Sequence, residues 1–181
     1  MAPRVPPVEP GTRPDLAAIE AAIVSERGGV LLLYQVLLNS APLADGWRGL
    51  LTAIRNRSSL PPALREMVIL RVAILNRAPY EFDAHVPHAK ASGVSDQQLD
   101  ALRAADPGAE FTELERAVLA LTDTMTRDVQ VPDALFEPLR KHFDDRGLVE
   151  LVATVAAYNM VSRFLEALRI GHRDAHVNEL R

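Results

Sequence analysis

One helix-forming stretch constrains this sequence more than any other. Between Asp145 and Ile170, Leu148, Leu151, Val152, Val155, Tyr158, Phe164, Leu165 and Leu168 fall at helical spacing and make a wide apolar face. Ala153, Ala156 and Ala157 let another helix approach closely, and Gly171 ends the run. A helix this apolar must be covered by other elements. The rest of the chain offers helices for the purpose, because every strong segment repeats its apolar residues about every 3.6 positions and no alternating strand of useful length occurs. Aromatic residues are only 5% of the chain while Ala and Leu abound, which suits helix packed on helix. The expected fold is all-α. So apolar a helix on a chain of 181 residues also points to a face covered by a symmetry mate, hence to a homo-oligomer.

The length suits one substantial core. Residues 1–14, MAPRVPPVEPGTRP, hold five prolines and no periodicity, so they read as an extended or disordered arm, with a single helical domain over 15–181. A formal net charge of -4 and scattered Lys and Arg give no electrostatic footing for nucleic acid. No signal-peptide core and no uninterrupted membrane-length apolar run is evident, so a soluble cytoplasmic protein with no membrane partner is expected. The absence of cysteine removes disulfides, thiolate nucleophiles and iron-sulfur centres from this chain.

Along the chain, Asp15 to about Glu26 reads as a short helix capped by Asp15 and closed by Gly28-Gly29, followed by the apolar segment Val30 to Leu38. Asn39-Ser40-Ala41-Pro42 reads as a break before a helix from Leu43 to Arg57, with Trp47 as a core anchor. Pro61-Pro62 opens a largely buried helix to about Asn76, Ala78-Pro79 stops it, and a second helix runs from Tyr80 to Ser92, closed by Gly93. Ser95 caps a helix from Asp96 to Ala104, and Asp106-Pro107-Gly108 is the clearest turn signal. Helices are then expected over Thr112–Arg127 and Pro132–His142.

The central helix pair is where proton chemistry is expected. Glu66 sits in the apolar run of the first helix. On the second, Glu81, His85 and His88 stand at i, i+4 and i+7 and so share a face. A carboxylate and an imidazole on one helix, facing a further carboxylate on the helix before it, form an acid/base site. The bland alternatives are a structural ion pair for Glu66 and a surface i, i+4 pair for Glu81 with His85. Glu81, His85 and His88, with Glu66 from another element, also have the ligand types for zinc, but neither metal nor cofactor is expected. No phosphate-cradling glycine loop and no Gly-x-Ser-x-Gly elbow is present.

The segment Leu60–Leu102 resembles the carboxymuconolactone decarboxylase-like family of the alkylhydroperoxidase D-like superfamily. The residues that carry the resemblance are Arg65-Glu66 with the apolar run after it, Tyr80-Glu81-Phe82, Ala84-His85, Gly93-Val94-Ser95, Glu150-Leu151-Val152 and Tyr158 to Arg163. It extends from about residue 30 to 170. The resemblance implies an all-helical fold that assembles as trimers or hexamers. In the peroxidase branch a glutamate, a Cys-x-x-Cys pair and a histidine form a thiol relay. Here Glu66 and His85 match the glutamate and histidine, while Ala78 and Glu81 stand at the cysteine positions. Thiol-based peroxide reduction is therefore closed to this chain.

The decarboxylase branch converts a carboxylated unsaturated lactone to an enol-lactone with loss of carbon dioxide. By that resemblance His85 is the expected proton carrier, with Glu66 and Glu81 orienting it, on a small-molecule substrate. Arg71 and Arg163 are candidates for holding a substrate carboxylate, and Tyr80, His88, Tyr158 and Asn159 for lining the pocket. A non-catalytic binding or assembly protein on the same scaffold is the competing expectation.

Overall fold

A computed structural model describes residues 2–104 and 108–172. Among them the only regular elements are helices, as expected: α1 (Ala17–Arg27), α2 (Leu32–Leu37), α3 (Ala41–Asn56), α4 (Pro62–Leu75), α5 (Pro79–Ala91), α6 (Asp96–Ala101), α7 (Glu113–Arg127), α8 (Asp133–Phe136) and α9 (Asp145–Leu168), with short 3-10 turns between them. The chain divides into two compact units, one comprising residues up to Arg57 together with those from Leu165, the other Ser58–Phe164.

In the first unit the N-terminal arm is extended and tied down by hydrogen bonds. Arg4 donates from its backbone to the Leu168 carbonyl (2.8 Å) and from its guanidinium to the Ala167 carbonyl (2.9 Å), satisfying two orphaned acceptors at the end of α9. Val8 donates to the Gln35 carbonyl (2.9 Å), and Gly11 to Glu20 Oε2 (3.0 Å). Asp15 is not the expected cap. It lies inside a 3-10 turn, Pro14–Leu16, and its exposed carboxylate pairs instead with Arg13 (2.6 Å). Gly28 closes α1 at φ 78, a conformation in which a Cβ is strained. Ala41 and Pro42 open α3 rather than precede it, because proline is at home where the helix has no N–H to satisfy. Trp47 is buried, as expected of an anchor, and Glu26 joins α1 to α3 by accepting from Thr52 (2.6 Å).

The second unit is built on α4. Ser59 donates from both backbone and hydroxyl to Glu150 Oε2 (2.6 Å each), fixing the entry to α4 against α9. From Glu66 to Ala73 every α4 residue is buried, and α4 packs on α5 and α7. Its core includes Met67, Leu70, Phe82, Leu102 and Phe111, each full burial of a large apolar side chain contributing roughly 1.5–3 kcal/mol.

The turn from α4 to α5 is made by Arg77 at φ 55. Its N–H bonds the Ile74 carbonyl (3.0 Å) and the next N–H, of Ala78, bonds that of Ala73 (2.8 Å). This is a left-handed helix stop with arginine where glycine is usual. Gly93 stops α5 in the same way at φ 97.

Capping boxes start α6 at Ser95/Gln98 and α7 at Thr112/Glu115. Two expected helices are shorter than their periodicity implied. α6 stops at Ala101 because the carbonyls of Leu102 and Ala104 turn onto the Arg71 guanidinium (2.6 and 2.7 Å). The helix expected over Pro132–His142 is α8 followed by a 3-10 stretch, Glu137–Lys141, since Pro138 has no N–H for an α-type bond. Asp106 and Pro107 of the expected turn, and the tail beyond His172, lie outside the described residues. By length and composition α9 reaches what a membrane span requires, and 56% of its apolar window is buried within the protein.

Candidate active site

α4 and α5 bring together the three residues that their spacing singled out. Glu66 lies in the second turn of α4, and Glu81 and His85 follow one another on the inner face of α5. The His85 ring is held at both nitrogens. Nδ1 is 2.7 Å from Glu66 Oε2, and Nε2 is 3.3 Å from Glu81 Oε1. Exposure is 2% for Glu66, 5% for Glu81 and 4% for His85, so the three groups are almost wholly removed from water.

Burial by itself pulls the His85 pKa down, but the hydrogen bonds and negative charges of Glu66 and Glu81 outweigh it, and the net direction is up from 6.5. A carboxylate at each nitrogen favours the imidazolium form, in which both ring nitrogens donate. The arrangement is an imidazole ring held between two carboxylates in a dry setting.

Tyr158 of α9 closes one side of the ring. It is buried and meets His85 edge-on, with ring centroids 5.3 Å apart and planes at 89°. His88 is exposed, its ring tilted at 56° with its centroid 5.7 Å from that of His85. Among the described residues no group of three or more His, Asp or Glu side chains has the geometry to hold a metal ion. Tyr80 is half-buried beside Glu81, and burial, then the Glu81 charge, push its phenol upward, keeping it a neutral donor.

The remaining expectations separate. Arg71 is 1% exposed and engaged with other partners: Nε and Nη2 grip both oxygens of Asp123 (2.6 and 2.5 Å), and Nη1 takes the two carbonyls that end α6. In the structure it clamps α4 to α7 and to the end of α6; spacing had left its direction open, because a buried arginine on a site-bearing helix can face either neighbour. Asn159 is likewise occupied, accepting from Asn76 (3.0 Å) and donating to Thr126 (2.9 Å) and to the Val155 carbonyl (3.0 Å). It locks α9 to α4 and α7 next to Tyr158. Arg163 is exposed.

One residue that sequence reasoning did not single out stands at the site. Arg65, immediately before Glu66, has a side chain 12% exposed and places Nε 3.7 Å from Glu66 Oε1. Its position beside the buried glutamate was the available signal.

Comparison with known proteins supports the resemblance. The Carboxymuconolactone decarboxylase family model matches residues 41–124, which include Arg65, Glu66, Glu81 and His85. The uncharacterized protein YdfG of Bacillus subtilis (strain 168) is 28% identical over 121 residues, 66% of this chain and 81% of that protein. A protein of unknown function from Agrobacterium tumefaciens superposes with a TM-score of 0.69 at 26% identity, over 75% of this chain and 93% of that one. The alkylhydroperoxidase AhpD core of an uncharacterized peroxidase-related protein from Ralstonia eutropha JMP134 gives a TM-score of 0.78 at 20% identity, over 95% and 93% of the two chains. The fold is thus AhpD-like over nearly the whole length of the chain, and the match to the Carboxymuconolactone decarboxylase family model lies across the helices that carry Glu66 and His85, in a sequence without the Cys-x-x-Cys pair.

Proposed function

We propose that this protein is a cofactor-free acid/base enzyme acting on a small carboxylated or lactone-type molecule, with decarboxylation as the leading reaction. The observation that carries the proposal is the buried line Glu66–His85–Glu81, 2.7 and 3.3 Å apart. Nδ1 is committed to Glu66, so Nε2, on the Glu81 side, is the nitrogen that exchanges a proton with substrate. Loss of carbon dioxide leaves an electron pair on carbon, in the form of a dienolate. The proton from Nε2 closes the balance, and Glu66 holds the ring in place through both halves of the step. Glu81 either yields its place at Nε2 to the substrate or passes the proton itself. It occupies the position of the second thiol of the peroxidase branch, so the relay keeps its shape with a carboxylate in place of sulfur.

The test is turnover of a carboxymuconolactone, followed by carbon dioxide release and by the ultraviolet absorbance of the enol-lactone. His85→Ala is expected to lower the rate by about 10²-fold or more while leaving the circular dichroism spectrum intact. Unchanged turnover in that variant removes His85 from the mechanism. Tight binding of the lactone by the wild-type protein with no release of carbon dioxide favours a non-catalytic binding protein instead.

A further inference from the structure

We infer that Arg65 is the anion anchor of this site, the residue that takes the carboxylate of a small organic acid. The inference rests on the acid/base reading of Glu66 and His85 and adds to it a substrate-binding residue and a charge class.

Two arginines of α4 show the contrast. The Arg71 side chain is 1% exposed, and its hydrogen bonds go to Asp123 and to the carbonyls of Leu102 and Ala104. Arg65, two turns earlier, is 12% exposed, and its Nε is buried with no hydrogen-bond acceptor among the described residues. Its Nε pairs with Glu66 Oε1 at 3.7 Å, beyond hydrogen-bond distance. A buried donor left unmade is costly, and an arginine retained in that state beside a buried acid/base group is accounted for by a ligand that completes it.

Charge leads to the same conclusion. Glu66, Glu81 and an imidazolium at His85 sum to one net negative charge, which repels an incoming carboxylate. The guanidinium of Arg65 brings the cluster to neutrality and offers the planar fork that matches a carboxylate. Arg65 and Glu66 are neighbours in sequence, so the anchor and the acid/base group move as one rigid piece of α4. A carboxylate on Arg65 therefore lies next to the carboxyl-bearing end of the relay.

The experiment measures binding of benzoate and of benzamide, its neutral counterpart of the same shape, by calorimetry, with the His85 ring resonances followed by nitrogen-15 NMR. The wild-type protein is expected to bind benzoate in preference to benzamide and to show a benzoate-dependent shift at His85. Arg65→Met is expected to weaken benzoate binding by about tenfold or more without changing benzamide binding. Where methionine at position 65 compromises folding, Arg65→Lys decides, since it keeps the stem and charge but loses the fork; the expectation is weakened benzoate binding there too.

Equal benzoate affinity in wild type and both variants overturns the inference, as does the absence of saturable benzoate binding by the wild-type protein. His85→Ala separates this inference from the catalytic reading: benzoate binding that survives in that variant supports Arg65 as the anchor whether or not His85 is needed for turnover, and benzoate binding lost there but intact in Arg65→Met overturns it.

Discussion

Glu66 and His85 meet at 2.7 Å across 19 residues of sequence, and the turn between their helices decides that they do. Arg77, held at φ 55, reverses the chain in a fixed direction and sets α5 against α4 with the Glu81–His85 face inward. The energetics follow from that placement. An imidazolium shielded from water is stable only because a carboxylate stands at each nitrogen.

The pH dependence of stability should expose this arrangement. The folded-state pKa of His85 lies above its ordinary 6.5, so the stabilisation of the charged ring is fully present below that value and is lost as pH rises through the raised folded pKa. Thermal melts of wild type and His85→Gln across this window should therefore show the wild-type advantage shrinking with rising pH. NMR titration should place the His85 midpoint above that of an ordinary histidine, and Glu81→Gln should move it down. A constant difference between the two melting curves, with an unshifted midpoint, contradicts the doubly held imidazolium.

Arg71 gives a control on the same helix. Removing one member of a buried ion pair costs about 3–5 kcal/mol, and Asp123 is 17% exposed, so the lower end applies to Arg71→Ala. Lysine should restore little of this, since it cannot grip both Asp123 oxygens and two carbonyls together. Denaturant unfolding reads the loss. The His85 titration should be unchanged, and a shifted midpoint in Arg71→Ala would return this arginine to the site.

The fold class and the shared face of Glu81 and His85 were legible from the sequence because both depend on local periodicity: helical spacing gives the α4 and α5 faces, and i, i+4 spacing gives Glu81 with His85. The caps at Ser95 and Gly93 were legible for the same reason. What could not be read were choices settled by a third element. Arg71 turned to Asp123 on α7, 52 positions away, and Asn159 to Thr126, 33 positions away. Periodicity is blind to such partners. Arg77 is a different case, since a left-handed arginine carries no compositional sign and glycine is the residue one looks for there.

Asn159 offers a stability test close to the site. Its amide links Asn76 on the exit of α4 to Thr126 on α7, both within the second unit. Asn159→Leu removes the link and leaves a buried hydroxyl at Thr126 without that partner, a loss of about 1–3 kcal/mol. Tyr158 sits next to it, so the variant should also broaden the His85 ring resonances as α9 loosens. Full stability together with sharp His85 signals would show that the Asn76–Asn159–Thr126 chain does not hold α9 at the site.

Val129 carries the clearest backbone strain in the second unit, and relieving it should stabilise the protein. This β-branched residue is at φ 68, between α7 and α8, in a tight turn where the Gln130 N–H bonds the Asp128 carbonyl (2.8 Å). A left-handed conformation costs an ordinary L-residue about 1–2 kcal/mol, and more when the side chain is branched at Cβ. The side chain is 78% exposed, so its removal forfeits little packing. Glycine adds back roughly 0.5–1 kcal/mol through the greater freedom of the unfolded chain. The balance predicts that Val129→Gly raises stability by about 0.5–1 kcal/mol, readable as a higher midpoint in urea with an unchanged slope. Asparagine, which tolerates this conformation, should give part of the same gain. A lower midpoint for both variants would mean that the valine side chain makes a favourable contact in solution that outweighs its strain.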